Sequence, residues 1–229
     1  MSLISDKDNL IQSFHTANAF ANPLITFIIP TLNRYTLADT LISLLSQTNT
    51  QWKAIIIFDG CSPSNPYLLK LLNNPQFLCL TTPRLGTEQE IHNSAGFVRN
   101  IGLQLVDTPW VGFVDDDDIL THNYIESLTT ELNITPTLDV VVFKMIERGR
   151  IIPPLNFSEL VCGQVGISFV YRSSLIKDGF IFEQSKEEDY NLLKQFEKAG
   201  KKIVLSPFTT YLVRHSPYVS GDSIRIIIN

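Results

Sequence analysis

Short uninterrupted apolar runs alternate along this chain with stretches in which leucines recur every three or four positions. Residues 24–30 (LITFIIP) and 52–59 (WKAIIIFD) are continuous runs rich in β-branched and aromatic side chains, the mark of strands buried on both faces. Residues 77–81 and 110–115 are two more. Between the first two, Leu37, Leu41, Leu44 and Leu45 keep the spacing of an amphipathic helix. Asn65 and Pro66 supply an N-cap and a first-turn proline for a helix carrying Leu68, Leu69, Leu71 and Leu72. Residues 96–105 read as a further helix. Buried strands joined by helices predict an α/β fold with a mainly parallel central sheet, right-handed crossovers and helices on both faces. From Leu138 the texture changes. Residues 140–145 form a strand, 151–157 are interrupted by prolines, and Gly163 and Gly166 hinge a loop into a strand ending at Tyr171. Residues 187–198 predict a helix and 203–205 a short strand. Phe169, Tyr171 and Phe182 are expected in the core. No repeat or linker divides the chain, so its second half is expected to pack on the first.

Composition narrows the possibilities. The 229 residues are 44% hydrophobic and 18% charged, enough apolar surface for one large domain core. A formal net charge of -5 argues against a nucleic-acid partner or an anionic membrane surface. No apolar stretch approaches the roughly 18 residues of a membrane span, and residues 1–21 lack the basic and apolar regions of a signal peptide. Cys61, Cys79 and Cys162 form no CxxC pair and leave an odd count, which fits reduced thiols and a cytoplasmic setting. The sequons at Asn133 and Asn156 then read as accidental.

The strand 110–115 ends in four consecutive acids, Asp115, Asp116, Asp117 and Asp118. The C-terminal ends of strands are where open α/β sheets place their ligands. Two carboxylates about 5 Å apart at an effective dielectric of about 20 repel by roughly 3 kcal/mol. Four in a row shift one another's pKa upward, splay into solvent, or are neutralised by a cation. The plainer alternative is a solvated turn in which Asp118 or Thr121 caps the next helix.

Read together, several segments carry a resemblance. Residues 28–34 (IIPTLNR), 55–62 (IIIFDGCS), 96–102 (GFVRNIG) with the strand into the acids, Glu188-Asp189 at a helix start, and Arg214-His215-Ser216-Pro217 with Ser220 are similar, in order and spacing, to the motifs of family-2 glycosyltransferases. The likeness runs from about Leu24 to Ser220. It implies the GT-A fold, a Rossmann-like single domain, and inverting transfer of one sugar from a nucleotide diphosphate sugar to an acceptor hydroxyl. A hexosyltransferase-like activity in glycan biosynthesis is the expectation. It also implies an N-terminal extension over 1–22, a nucleotide-sugar-binding half over 23–120, and an acceptor-binding and catalytic half over 121–229.

The same resemblance assigns roles. Asp115 and Asp117 become the DxD pair, Asp117 on the metal and Asp115 nearer the ribose, although Asp116 and Asp118 offer the same spacing. Oxygen ligands suit Mg²⁺ or Mn²⁺, and one imidazole, from His215, tilts the choice toward Mn²⁺. Asp59 accepts from a nucleobase ring N–H, usually that of uracil, because a carboxylate only accepts. Its alternative is a turn acid. Gly60 stands where the family often has a second acid, and Cys61 where it has glycine. Pro30, Thr31, Asn33 and Arg34 line the donor pocket, with Asn100 and Asp116 also on the donor side. Arg99 either holds a phosphate or braces the acidic loop. Asp189 is the expected general base, held ionised by the helix dipole, with Glu188 as the alternative. Alternatively, residues 187–189 merely favour a helix N-terminus.

Other classes fit poorly. No GxGxxG or P-loop follows the first strand, the glycine-rich basic loop of sugar-nucleotide pyrophosphorylases is missing, and a QxxRW segment of processive synthases is absent. A catalytically inactive nucleotide- or metal-binding module of the same fold is the remaining alternative.

Overall fold

The computed structural model describes residues 22–85 and 95–214. Its elements are β1 (Ile25–Thr31), α1 (Leu37–Leu45), β2 (Trp52–Asp59), α2 (Pro66–Leu72), β3 (Phe77–Thr82), α3 (Ala95–Leu103), β4 (Trp110–Phe113), β5 (Ile119–Leu120), α4 (Tyr124–Ile134), β6 (Val140–Glu147), β7 (Arg150–Ile152), β8 (Phe169–Arg172), α5 (Ser174–Lys177), α6 (Glu188–Lys198) and β9 (Ile203–Leu212). The strands form one sheet in the order β3-β2-β1-β4-β8-β6-β9-β5, with β7 on β6. The block β3-β2-β1-β4 is parallel, β6 and β9 are parallel, and the antiparallel β8 joins the two blocks. The expected parallel sheet is therefore present, with antiparallel strands grafted onto its second half.

Burial explains the strand pattern. Every residue of β2 is buried, as is nearly all of β1, because the sheet is covered on both faces. Pro30 is tolerated in this central strand because β4 pairs only as far as Ile28↔Phe113, so the missing N–H breaks no bond to β4. In α1, Leu37, Leu41 and Leu44 are buried, while Leu45 is 36% exposed and sits at the edge of the stripe. In α2 only Leu68 is buried and Leu69 is exposed. The cap there is as expected, with Asn65 Oδ1 accepting from the Tyr67 amide at 2.8 Å. The capping that the plainer alternative assigned to Asp118 or Thr121 does not occur. Asn123 occupies the N-cap of α4 without a side-chain cap bond.

The largest departure from expectation is β9, which runs ten residues rather than three. Pro207 argues against a continuing strand in sequence, but the β6–β9 register shifts twice, between Val142 and Lys144 and between Lys144 and Met145. The irregularity absorbs the proline. The strand then resumes to pair Leu212 with Ile119 and Tyr211 with Leu120, which carries its end beneath the acidic loop.

Phe169, Tyr171 and Phe182 are core residues, as expected. They surround Phe113 at the end of β4, with ring centroids 5.6, 6.1 and 4.9 Å away. Phe113→Ala should therefore destabilise the protein by about 3–5 kcal/mol, read as a shift of the urea midpoint. A loss under 1 kcal/mol, of the order of a surface change, would show that this aromatic cluster does not hold the sheet ends together.

Candidate active site

The four aspartates leave β4 with alternating environments. Asp116 and Asp118 are each 4% exposed, whereas the side chains of Asp115 and Asp117 are 37% and 19% exposed. Asp116 turns onto the loop after β1, where the Thr31 hydroxyl donates to it at 2.6 Å, the Leu32 amide at 3.3 Å and Arg34 Nη1 at 3.0 Å. Arg34 Nη1 also reaches Asp117 at 3.0 Å. Asp118 accepts the Arg214 amide at 2.8 Å, and its carbonyl accepts from the Thr40 hydroxyl of α1 at 2.7 Å. Arg214 continues to the Asp117 carbonyl at 2.6 Å and to Asp39 at 2.8 Å. Burial, with Asp115 next in weight, pushes the Asp118 carboxyl up to about 8, against the Arg214 amide and the Tyr211 hydroxyl. Tyr211 also accepts from the Asp115 amide at 3.1 Å.

On the other side of the loop lies Arg99, from α3, 3% exposed. Its Nη2 is 2.5 Å from Asp115, its Nη1 bonds Glu188, and Asp189 lies 3.9 Å away. Burial opposes its charge, but Asp115, Asp189 and Glu188 hold its pKa above the ordinary value. Of the two roles expected for Arg99, the structure displays the brace. The Glu188 carboxylate is fully engaged: one oxygen meets Arg99 and the other accepts the Gly96 amide at 3.0 Å. Asp189 differs. Its Oδ1 is buried without a hydrogen-bond partner, and the rest of the side chain retains 28% exposure. Burial pushes the Asp189 carboxyl up to about 7, with Arg99 opposing and Asp115 and Glu188 adding to the rise. The expectation that the helix dipole would hold it ionised is thus corrected: desolvation and two neighbouring acids outweigh a surface-type dipole effect.

The third part of the site surrounds Asp59 at the end of β2. Asp59 is 3% exposed, accepts the Leu85 amide at 2.8 Å, and lies 3.5 Å from Arg84 Nη1. Gly60 has φ 68, and a Cβ there would lie 2.7 Å from Arg84 Cβ, so glycine serves both the turn and the close approach. Asn33, itself at φ 60, donates to the Ser62 carbonyl at 3.1 Å and so ties the loop after β1 to the loop after β2. Asn100, expected on the donor side, instead spends its amide on the Phe182 backbone, donating at 2.8 Å and accepting at 2.9 Å. His215 lies outside the described residues. Tyr211, Arg84 and Arg214 were not among the expected site residues. An arginine next to the expected histidine was the one available signal.

Among the described residues, no group of three or more His, Cys, Asp or Glu is arranged to hold a metal. The donor chemistry nevertheless fits a hard divalent cation. Asp115 and Asp117 are the more exposed of the four acids and have one oxygen each paired with an arginine, and the guanidinium groups of Arg34, Arg99 and Arg214 face more acids than they can neutralise.

The charge crowding has a measurable consequence. The folded Asp118 keeps to about 8 a proton that the unfolded chain releases near about 4. Its contribution to stability is complete below the lower value and is lost as pH rises through the higher one. Asp118→Asn should therefore gain melting temperature relative to the parent between pH 5 and pH 8.5 in chelator, measured by scanning calorimetry. A difference that does not change with pH would contradict a protonated Asp118.

Residues 26–177 match the family model described as Glycosyl transferase family 2. The chain is 35% identical over 106 residues to the putative colanic acid biosynthesis glycosyl transferase WcaA of Escherichia coli (strain K12), covering 44% of this chain and 35% of that protein. It is 26% identical over 121 residues to an uncharacterized glycosyltransferase of Rickettsia bellii (strain RML369-C), covering 50% of this chain and 16% of that one. The chain thus spans about a third or less of these curated relatives. Among solved structures, S. aureus TarS 1–349 in complex with UDP-GlcNAc superposes with a TM-score of 0.65 at 22% identity, covering 86% of this chain and 62% of that one. The mannosyltransferase PcManGT from Pyrobaculum calidifontis, in complex with GDP-Man and Mn²⁺, gives 0.63 at 12% identity, covering 92% and 66%. At such identities these likenesses carry the fold, which is that of the GT-A glycosyltransferases. With its family model spanning most of the chain, this protein belongs to glycosyl transferase family 2.

Proposed function

We propose that the chain is a metal-assisted, inverting glycosyltransferase that moves one sugar from a UDP-linked donor to an acceptor hydroxyl. The observation that carries this reading is the Arg99 node, which joins the acidic loop at the end of β4 to a carboxyl, Asp189, whose Oδ1 lies 3.9 Å from Arg99 Nη1 without a hydrogen bond and whose pKa is raised to about 7. A carboxyl poised near neutrality is what removing an acceptor proton during bond formation requires. Glu188 is the poorer base because both its oxygens are engaged. Asp115 and Asp117 are the residues that would hold the cation, Mn²⁺ or Mg²⁺, with His215 a further candidate. When bound, the cation supplies Lewis-acid stabilisation of charge on the diphosphate leaving group. Arg34 pairs with the same acidic loop and offers a charged partner for phosphate. Asp59, with Thr31 and Asn33 beside it, would accept from the base ring N–H through its remaining lone pairs. The UDP-GlcNAc complex of TarS and the Mn²⁺ complex of PcManGT support the donor and metal assignments by analogy of fold. No helix among the described residues is long and apolar enough to cross a membrane.

The test is release of UDP from UDP-sugars with Mn²⁺, first with water and then with candidate acceptors. Activity that survives excess chelator would refute metal assistance, and UDP binding with no turnover of any donor would leave a binding module. Asp189→Asn keeps the shape and removes the basicity, so turnover should fall by about 10²–10⁴ while UDP affinity is retained. Normal turnover in this variant would remove Asp189 from catalysis. Asp59→Ala should weaken UDP binding by about 1.5–3 kcal/mol. Unchanged calorimetric affinity would leave Asp59 as the anchor of Leu85 and Arg84 alone.

A further inference from the structure

Glu188 and Asp189 are neighbours at the start of α6, and both face the guanidinium of Arg99. Only one of them is bonded to it. Arg99 Nη2 is taken by Asp115 and Nη1 by Glu188, so both ends of the fork are occupied. The second oxygen of Glu188 accepts the Gly96 amide at 3.0 Å, in a space that a Cβ at Gly96 would fill. Glu188 therefore sits in a place shaped for it, with its side chain 12% exposed. Asp189 Oδ1 is left 3.9 Å from the same Nη1, buried and without a hydrogen-bond partner. A charge-assisted hydrogen bond to arginine is about twice as strong as a neutral one, so this open gap calls for a cause. The cause on the page is that Glu188 already holds the nitrogen nearest to Asp189.

We propose that Glu188 is a positioning residue that, by holding Arg99 Nη1, keeps the guanidinium from pairing with Asp189 and so keeps Asp189 basic. The inference rests on reading Asp189 as the group that takes the acceptor proton. A carboxylate paired with arginine is a weak base, because the cation stabilises its ionised form. The charged groups that act on Asp189 are Arg99 from α3, Asp115 from the end of β4 and Glu188 on its own helix. Arg99 works against proton uptake at Asp189, and the two acids work for it. Glu188 thus acts twice, through its own charge and by diverting the arginine. Without it, Nη1 has no bonded carboxylate and Asp189 stands 3.9 Å away.

The experiment follows the Asp189 carboxyl carbon of the full chain by NMR across pH, the signal being assigned by its loss in Asp189→Asn. Glu188→Gln keeps the size of the side chain and removes its charge, so Arg99 Nη1 turns to Asp189. The Asp189 titration midpoint should then fall by about one unit or more relative to the parent. The low-pH limb of kcat/KM for UDP release from a UDP-sugar should move to lower pH with it, and the plateau should drop severalfold. A variant that lowers the plateau without moving either midpoint would make Glu188 a structural brace and overturn the proposal. If Glu188→Gln fails to fold, Glu188→Asp, one methylene shorter and unable to meet both donors, should shift the midpoint in the same direction. An unchanged or raised midpoint in the folded variant overturns the inference, even where Asp189→Asn abolishes turnover and leaves the base standing. Normal turnover in Asp189→Asn would remove the reading of the base and this inference with it.

Discussion

A buried guanidinium that cannot lose its proton organises this site. Arg99 is 3% exposed, and an arginine stays charged in any protein environment. Removing one partner from such a buried pair costs about 3–5 kcal/mol, because the remaining charge is left uncompensated. The chain meets the constraint by bringing Asp115 from the end of β4 and Glu188 from the start of α6 onto the same fork. The Phe182 ring lies 5.3 Å from the guanidinium. Asn100, the next residue after Arg99, clasps the Phe182 backbone from both sides. Gly96 is part of the same fit, since its amide donates to Glu188 and a Cβ there would collide with that carboxylate. Two consecutive elements, α3 and β4, are thus fixed against the distant start of α6 by one charge.

The same crowding sets the chemistry. Three arginines from three parts of the chain are shared among the acids: Arg34 with Asp116 and Asp117, Arg99 with Asp115 and Glu188, and Arg214 with Asp39 and the backbone of the acidic loop. Their pairings are geometric, so the relief is uneven. Asp118 is left with neutral donors and Asp189 with an arginine 3.9 Å away, and both carboxyls rise toward or past neutrality. What raises them is chiefly burial. A site held this way stores unfavourable charge in the folded state, and that cost is also what leaves one carboxyl able to take a proton near neutral pH.

Much of the framework was legible in the residue pattern. The runs 24–30 and 52–59 became β1 and β2 to within a residue, and the Asn65-Pro66 start of α2 appeared with its cap bond in place. These features are local: a buried parallel strand needs an apolar residue at every position, and a cap needs one side chain next to its own helix. The acidic run, the arginine-asparagine helix and the Glu188-Asp189 pair could be picked out in the string, but not their pairing, since acids at strand and helix ends also serve turns and helix N-termini.

What the sequence determined by itself was therefore the strands and helices of the first half and the residue types at their ends. Tertiary structure decided what those residues do to one another. Four adjacent aspartates look equivalent in a string, yet the twist of the chain leaving β4 buries Asp116 and Asp118 and leaves Asp115 and Asp117 open. Glu188 and Asp189 differ because Glu188 is hydrogen-bonded by Arg99 and the Gly96 amide, whereas Asp189 meets Arg99 only at 3.9 Å. The extension of β9 past Pro207, which delivers Tyr211 and Arg214 to the acids, depends on a register shift against β6 that no local signal announces. Propensity and periodicity act over a few residues, whereas pairing, desolvation and charge balance are set by groups that meet only when the sheet has formed.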